Sequence, residues 1–179
     1  NWTVDKFSEN IYLVGLMGAG KTTIGRSLAK RLGLRFVDTD KEIEARTGVS
    51  IPTIFEIEGE DGFRKRESQV IAETAAKNGL VVATGGGGVL REENRANMRA
   101  SGFVIYLNVQ PQMLWERTRH DKNRPLLQVA DPLLKLTQLF SVRDPLYREV
   151  ANLVVDGGRM SAQGVLQHLL KELSERWKL

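Results

Sequence analysis

The chain has 179 residues, of which 41% are hydrophobic and 27% charged, a composition typical of one globular domain with a sizeable core. The ordinary hydrophobic content and the lack of cysteine exclude disordered, collagen-like and disulfide-stapled proteins. The net charge of +4 is spread among alternating bases and acids, which favours small anionic ligands over nucleic acid. No apolar run has membrane-spanning length. We therefore expect a cytoplasmic protein with neither a membrane nor a nucleic-acid partner.

The first element in the chain is the segment from Asn10 to Leu32, where an apolar run, a glycine-rich turn and an amphipathic run follow one another. Gly15, Gly20, Lys21 and Thr22 fit the pattern G-x-x-x-x-G-K-[ST]. In such a loop, backbone N–H groups converge on a polyphosphate, the lysine reaches the terminal phosphates and the hydroxyl ligates Mg²⁺. The helix that follows directs its positive end at the same anion. The segment therefore predicts binding of a nucleoside triphosphate.

A second glycine pattern, G-x-G-x-x-G, binds dinucleotides and has to be considered for the same turn. If that pattern began at Gly18, it would require a third glycine where the chain has Thr23. The mismatch disfavours a nicotinamide or flavin enzyme.

Further along the chain, short apolar runs predict four more strands, at residues 35–38, 80–83, 103–107 and 153–156. The segments between them predict helices at 41–47, 50–57, 63–78, 92–100 and 111–117, and a last helix capped by Ser161. Residues 58–62 form an acidic break between two of these helices. Asp131-Pro132 and Asp144-Pro145 each match an N-cap followed by proline, so each predicts the start of a separate helix.

Strands that alternate with helices indicate parallel pairing, with helices on both faces of the sheet. The predicted fold class is α/β with three layers, α/β/α, and neither a linker nor a repeat divides residues 1–179 into several domains. Ligands of such sheets bind beyond the carboxyl ends of the strands. The phosphate-binding loop, Asp38, Asp40 and the glycine run 85–88 all follow predicted strands, so we expect them to face one crevice.

Two carboxylates follow the second predicted strand. Asp38 and Asp40 are two residues apart on what we expect to be an extended segment, which puts both side chains on one face. One carboxylate could orient Mg²⁺-bound water near Thr22, while the other accepts a hydrogen bond from a substrate hydroxyl. The alternative is that these acids cap the next helix, a common role for aspartate at a strand end.

Basic residues and glycines supply further candidates. Arg64 lies at the predicted opening of a long helix, where a cation opposes the helix dipole and is therefore expected to meet an anion. Its neighbours Lys65 and Arg66 are expected to be solvated. The glycine run 85–88 would let a substrate ring approach the backbone closely, unless it is only a flexible turn.

An aperiodic basic stretch between two predicted helices has the composition of a closing lid. It contains Arg117, Arg119, Lys122 and Arg124, and a lid of this kind can bring an arginine onto a transferring phosphate and exclude water. An exposed basic loop without such a role is the alternative. Arg143 is a further candidate to meet a carboxylate.

Taken together, these motifs resemble the bacterial shikimate kinases, small relatives of the nucleoside monophosphate kinases. The match covers nearly everything from Ile11 to about Leu173. The motifs that carry it are Gly15 to Thr22, Asp38-Thr39-Asp40, Gly62-Phe63-Arg64, Thr84 to Gly87, Arg124-Pro125-Leu126-Leu127 and Arg143-Asp144-Pro145-Leu146-Tyr147. The resemblance implies transfer of phosphate from ATP to the 3-hydroxyl of shikimate.

The resemblance also implies a five-stranded parallel sheet in the order 2-3-1-4-5 and a nucleotide and metal site. The residues implied to bind ATP are Gly18, Ala19, Gly20, Lys21, Thr22, Thr23, Arg117 and Arg124. Lys21 would hold the β- and γ-phosphates, and Arg117 would lie near adenine. Thr22 would ligate Mg²⁺ directly and Asp38 through water.

The implied acceptor site is equally specific. The residues implied to bind shikimate are Asp40, Arg64, Gly85, Gly86, Gly87 and Arg143. Arg64 and Arg143 would clamp its carboxylate, which suits the planar, bidentate guanidinium group. Lys21, Asp40 and Arg124 would be the catalytic residues. A flap at residues 39–64 and a lid at about residues 117–130 would cover the site, and the protein would act as a monomer.

One departure and several alternatives remain. The family often has alanine or serine where this chain has Gly88, a difference that loosens the loop but removes no contact. A kinase for gluconate or another small molecule would need acceptor contacts other than Asp40, Arg64 and Arg143. A nucleotide-switched binding module, or a degenerate P-loop protein that binds nucleic acid, belongs to another class. The intact Lys21 and Thr22 argue against degeneracy.

Overall fold

The computed structural model describes residues 9–177, so the two ends of the predicted domain, 1–8 and 178–179, lie outside the described residues. The described strands are β1 (Asn10–Val14), β2 (Arg35–Asp38), β3 (Leu80–Ala83), β4 (Gly102–Asn108) and β5 (Leu153–Asp156). The described α-helices are α1 (Lys21–Leu32), α2 (Thr39–Thr47), α3 (Ile51–Ala75), α4 (Glu92–Ser101), α5 (Pro111–Thr118), α6 (Pro132–Val150) and α7 (Ala162–Trp177). A short 3₁₀ turn, Pro125–Leu127, lies between α5 and α6.

The strands form one five-stranded parallel sheet in the order β2-β3-β1-β4-β5, which confirms the predicted fold class and strand order. Strand β1 is central, and Leu13 pairs with Ala83 on one side and Ile105 on the other. Every residue of β1 is buried, as expected for a strand covered on both faces of a parallel sheet. The carboxyl ends of all five strands consequently meet at one edge, where the phosphate-binding loop leaves β1.

Two apolar clusters support this edge. The larger one fills the space between the sheet and its helices, and it contains every residue from Ile11 to Val14. The smaller cluster lies between α2 and α3, and its buried members are Ile43, Ile51, Ile54, Phe63 and Val70. The predicted flap at residues 39–64 therefore has a hydrophobic core of its own beside the site.

The prediction of a separate helix starting at Asp144-Pro145 was wrong. One helix, α6, runs from Pro132 to Val150 and contains Pro145 in its interior. Asp144 does not cap a helix there, because its carboxylate accepts hydrogen bonds from Tyr106 Oη at 2.7 Å and from Arg148 Nε at 3.1 Å. Proline removes one backbone donor from a helix. The side chains buried on either side of it, Arg143 and Tyr147, pack the helix in place despite that loss.

The prediction that Asp38 and Asp40 share an extended segment was also wrong. The side chain of Asp38 caps α2 by accepting a hydrogen bond from the Lys41 backbone N–H at 3.2 Å, so the helix begins at Thr39. Asp40 therefore lies in the first turn of α2 rather than on the strand. The capping role considered as an alternative is correct for Asp38.

The predicted acidic break at residues 58–62 is confined to one residue. Helix α3, Ile51–Ala75, consists of two helical segments that meet in a kink at Gly59, whose φ of 75° and ψ of 176° are non-helical. Glycine is the residue that adopts such a conformation without strain. Arg64 lies five residues after this kink, past the first turn of the second segment, so the dipole argument does not explain its position. The helix also ends at Ala75, three residues before the predicted end at Asn78.

Across residues 9–177, no helix combines the length and the apolar character needed to cross a bilayer.

Candidate active site

A cavity of about 590 Å³ opens at the carboxyl edge of the sheet. The chain follows the usual rule for α/β sheets, in which ligands bind beyond the strand ends. Every site residue predicted from the sequence lines this cavity except Ala19, whose side chain is buried in the larger apolar cluster. The cavity has a phosphate-loop side, built from the segment after β1, and an acceptor side, built from α2, α3, the glycine run and α6.

The glycines of the phosphate-binding loop allow its backbone conformation, and its lysine donates hydrogen bonds to the loop carbonyls. Gly15, Gly18 and Gly20 all have positive φ, and a Cβ on Gly15 would lie 2.7 Å from the carbonyl oxygen of Leu107. Lys21 Nζ donates to the carbonyl oxygens of Gly15 at 2.5 Å and Leu16 at 2.9 Å. Its burial, together with the positive charge of Arg124, lowers the pKa of Lys21 to about 7. The loop therefore has its lysine in place where a polyphosphate would bind.

The hydroxyl and carboxylate expected to hold Mg²⁺ lie next to each other. Thr22 Oγ1 donates to Asp38 Oδ2 at 2.7 Å, while Asp38 Oδ1 caps α2. Among residues 9–177 there is no cluster of three acidic or histidine side chains that could hold a metal alone. Mg²⁺ keeps several waters and takes phosphate oxygens as ligands, so one hydroxyl and one carboxylate fit it.

On the acceptor side, the carboxylates of half-buried Asp40 and buried Glu67 approach the backbone of Gly85. A Cβ at Gly85 would lie 2.6 Å from Asp40 Oδ1 and 2.9 Å from Glu67 Oε2. Both of these oxygens are buried without a hydrogen-bond partner, which is costly unless a ligand supplies one. Burial raises the pKa of both groups, in the case of Glu67 to about 7.

Two arginines complete the acceptor side. Arg64 donates through Nη1 to Glu67 at 3.0 Å and through Nη2 to Glu60 at 3.2 Å, and its guanidinium lies so close to Gly87 that any side chain there would overlap it. Arg143 is only 3% exposed, and its Nη1 is buried without a partner. Burial lowers the pKa of Arg143. An incoming carboxylate would satisfy this orphaned donor.

The segment after α5 brings two arginines over the phosphate-binding loop. Arg117 Nη1 donates to the carbonyl oxygen of Gly18 at 3.0 Å. Arg124 is half-buried in the cavity wall, and its Nε donates to Asp121 Oδ2 at 3.0 Å. Both positions agree with the predicted lid, whose role in catalysis and in nucleotide binding stays a prediction.

Sequence reasoning missed two residues of this site, Glu67 and Tyr147. Glu67 is completely buried and holds Arg64, while Tyr147 Oη donates to the carbonyl oxygen of Gly86 at 2.5 Å. The spacing of three residues between Arg64 and Glu67 on a helix was a usable signal, because such residues are neighbours on one face. Tyr147 gave no local signal, since its partner is 61 residues away.

Comparison with known proteins gives consistent matches along nearly the whole chain. The sequence model of a family described as Shikimate kinase matches residues 17–174. A shikimate kinase from Dechloromonas aromatica is 62% identical over 172 residues, which is 96% of this chain and 94% of that protein. One from Aromatoleum aromaticum is 60% identical over 163 residues, covering 91% of this chain and 93% of that protein.

Solved structures agree with the sequence matches. The shikimate kinase of Acinetobacter baumannii, solved in complex with shikimate, superposes with a TM-score of 0.91 at 49% identity and covers 94% of both chains. A gluconokinase from Sinorhizobium meliloti superposes with a TM-score of 0.58 at 15% identity, covering 96% of this chain and 95% of that one. At that identity the likeness to the gluconokinase shows the fold alone.

Proposed function

The chain belongs to the shikimate kinase family, the ATP-dependent kinases of the shikimate pathway, and from this premise we propose how its residues transfer phosphate to shikimate. The observation that carries the proposal is that Lys21, Asp40, Arg64 and Arg143 line one cavity. In this cavity a lysine that can bind phosphate faces an aspartate that can accept a hydrogen bond from a hydroxyl group. Two arginines that can bind a carboxylate lie on the same side as the aspartate. These four side chains supply contacts for the phosphates of ATP and for the hydroxyl and carboxylate of a hydroxy acid.

The donor half binds ATP. The residues proposed to do so are Gly18, Ala19, Gly20, Lys21, Thr22, Thr23, Arg117 and Arg124. The backbone N–H groups of the loop bind the phosphates, and Lys21 exchanges its two carbonyl partners for the β- and γ-phosphate oxygens. Arg117, which already contacts the loop at Gly18, lies beside the adenine.

Mg²⁺ belongs to this proposal as the partner of the phosphates. Thr22 Oγ1 and, through water, Asp38 would hold the ion, because these adjacent oxygens suit a hard cation. When bound, the ion neutralises charge on the phosphates.

The acceptor half binds shikimate. Arg64 and Arg143 hold its carboxylate, with Gly85, Gly86 and Gly87 allowing the ring to approach the backbone. Asp40 accepts the hydrogen bond of the 3-hydroxyl, and its raised pKa suits a group that takes up this proton as the transfer proceeds. The hydroxyl oxygen forms a bond to the γ-phosphorus, while the bond from that phosphorus to the β–γ bridging oxygen breaks. The electrons of the broken bond stay on the ADP oxygen.

The flap and the lid prepare this transfer. The flap, residues 39–64, supplies both Asp40 and Arg64, so its apolar cluster sets their separation. The lid, about residues 117–130, brings Arg124 onto the migrating phosphate and excludes water that would otherwise be the acceptor.

We include in the proposal that the protein is a cytoplasmic monomer. Large apolar side chains that are exposed among residues 9–177 are scattered over several elements, at Val49, Ile57, Val129, Leu134, Val142 and Val154. Exposed apolar residues that are few and belong to different elements are ordinary on a monomer, which supports the proposal. Sedimentation should give the monomer mass of 20.1 kDa.

The direct test is phosphate transfer from ATP with purified protein and Mg²⁺, with shikimate and gluconate offered separately. We expect shikimate 3-phosphate, identified by NMR, and no turnover of gluconate. Chelation of Mg²⁺ should abolish turnover. If gluconate alone were phosphorylated, the acceptor assignment would be lost while the donor half would stand.

A further inference from the structure

The glycine run that lines the acceptor side is tied to helix α6 by one hydroxyl. Tyr147 is completely buried, does not line the cavity, and donates from Oη to the carbonyl oxygen of Gly86 at 2.5 Å. Gly86 and Gly87 do line the cavity. The carbonyl of the peptide that joins them therefore faces the core and away from the cavity.

The planarity of the peptide bond gives this contact a consequence for ligand recognition. In a trans peptide the carbonyl and the following N–H lie in one plane and point in opposite directions. Because the Gly86 carbonyl is directed at Tyr147, the N–H of Gly87 is directed away from Tyr147. A peptide between two glycines has no Cβ on either side to restrict its rotation, so it needs an anchor if it is to present that N–H in a single direction.

Helix α6 supplies the anchor and the carboxylate-binding arginine from the same face. Arg143 precedes Tyr147 by one turn, and residues four apart on a helix lie on one side. A Cβ on Gly86 would lie 3.4 Å from Arg143 Nη1, the buried donor that has no partner. Tyr147 thus fixes the loop peptide directly beside the guanidinium that faces the cavity.

We propose that Tyr147 is a positioning residue for the acceptor, which holds the Gly86–Gly87 peptide so that its N–H and the Arg143 guanidinium meet the same ligand group. This inference rests on the proposed function and adds to it a residue outside the cavity. Without the hydroxyl, the peptide rotates among several orientations. Shikimate then binds only the fraction of molecules whose peptide has the correct orientation, which lowers its apparent affinity.

A matched control is built into the core. Tyr106 packs against Tyr147 with ring centroids 4.8 Å apart, is equally buried, and also donates its hydroxyl, to Asp144 Oδ1 at 2.7 Å. Tyr106 does not line the cavity, and its hydroxyl donates to Asn108 and Asp144 and not to the glycine run. Tyr147→Phe and Tyr106→Phe therefore each remove one buried hydroxyl from the same stack, and only the first releases the glycine run.

The experiment compares steady-state kinetics and amide hydrogen exchange of the wild-type enzyme and the two variants. For Tyr147→Phe we expect the KM for shikimate to rise about fivefold, the effect of one lost hydrogen bond, with the KM for ATP unchanged. Exchange at the amide of Gly88, which donates to the Gly85 carbonyl within this loop, should accelerate in this variant alone. Tyr106→Phe should leave the KM for shikimate and this exchange unchanged. An unchanged KM in Tyr147→Phe, or equal changes in both variants or for both substrates, would overturn the inference.

Two further arms separate this inference from the proposed function. Incorporation of 3-fluorotyrosine at position 147 keeps the ring and hydroxyl and should restore the wild-type KM, and it remains informative if Tyr147→Phe folds poorly. Failure of this rescue would also overturn the inference. Arg64→Ala tests the acceptor site itself. If Arg64→Ala raised the KM for shikimate while Tyr147→Phe did not, only the role of Tyr147 would be lost. If neither did, the acceptor assignment would fail.

Discussion

Lys21 is the residue at which burial most directly affects the proposed chemistry. Its amino group donates to two loop carbonyls, and burial together with Arg124 lowers its pKa to about 7. A nearby polyphosphate favours the charged form of the lysine and so raises this pKa. Binding of ATP must then be coupled to uptake of a proton by Lys21.

We therefore predict that ATP binding at pH 8 takes up close to one proton, and that ATP affinity falls as the pH rises above about 7. Calorimetric titrations in buffers with different ionisation enthalpies measure this number. Lys21→Met, which has no titrating group, should abolish most of the uptake. The same uptake in wild type and variant would assign the proton to another group.

Arg64 is the residue on which recognition of the acceptor carboxylate should depend most. Its guanidinium is buried, so loss of its pairing with a substrate carboxylate should cost several kcal/mol. We predict that Arg64→Ala raises the KM for shikimate more than about a hundredfold, with little effect on the KM for ATP. Lys65→Ala is the control, because the neighbouring side chain of Lys65 is 73% exposed. Equal effects on both substrates would show that Arg64 is not the carboxylate clamp.

At the scale of elements, the glycine run is shaped by the side chains that press against it. A Cβ on Gly87 would overlap the Arg64 guanidinium, whereas a Cβ on Gly88 would meet its nearest atom, the carbonyl oxygen of Gly85, at 3.2 Å. The loop thus accommodates the protein's own buried charges as well as a ligand. The space available for a side chain therefore differs between Gly87 and Gly88.

This difference predicts a large change in the KM for shikimate for one of two neighbouring substitutions and a small change for the other. Gly87→Ala should displace Arg64 and raise the KM for shikimate at least tenfold, since a catalytic group moved by about 1 Å loses much of its effect. Gly88→Ala should change it less than twofold, in keeping with the alanine or serine that the resemblance suggests at this position. Kinetics of the two variants, with circular dichroism to check folding, measure the contrast. If Gly88→Ala raised the KM for shikimate more than Gly87→Ala did, the loop would not be constrained as described.

Elements also show where prediction from sequence succeeds. The phosphate-binding loop, its helix and the five strands were predicted because the signals lie within a few adjacent residues. The interior proline of α6 misled the same reasoning. Asp144-Pro145 has the local features of a helix start, but the hydrogen bond from Tyr106 and the burial of Arg143 and Tyr147 come from distant parts of the chain. Local patterns cannot report such contacts.

At the scale of the whole molecule, the two halves of the cavity differ in how they are assembled. The phosphate-loop side comes almost entirely from residues 15–23, so one motif predicts it. The acceptor side joins side chains from α2, α3 and α6 around the glycine run, and its assignment came from the resemblance. The helical spacing of Glu67 from Arg64 could have indicated their pairing, but the approach of Glu67 to Gly85 and Asp40 arises only in the fold.

The titration of buried Glu67 on the acceptor side should also be visible in global stability. Burial raises the pKa of Glu67 to about 7, above the value of about 4.5 for an unfolded chain, so the folded state binds more protons between these values and its stability falls as the pH rises through them. From pH 5 to pH 8, the free energy of unfolding should fall by about 2 to 3 kcal/mol more in wild type than in Glu67→Gln. Urea unfolding at the two pH values measures this difference. Parallel changes would mean that Glu67 does not titrate as described.

The break in α3 at Gly59 separates two parts of the helix that form different walls of the acceptor side. Ile51 and Phe55 line the cavity from the segment before the break, and Arg64 and Glu67 line it from the segment after. The two segments meet at Gly59, whose φ of 75° and ψ of 176° set the angle between them. Ile54 before the break and Phe63 after it belong to one apolar cluster, and Arg66 pairs with Glu58 across the break. The distance between the apolar wall and the charged wall is therefore set by this shared packing together with the two torsion angles of Gly59.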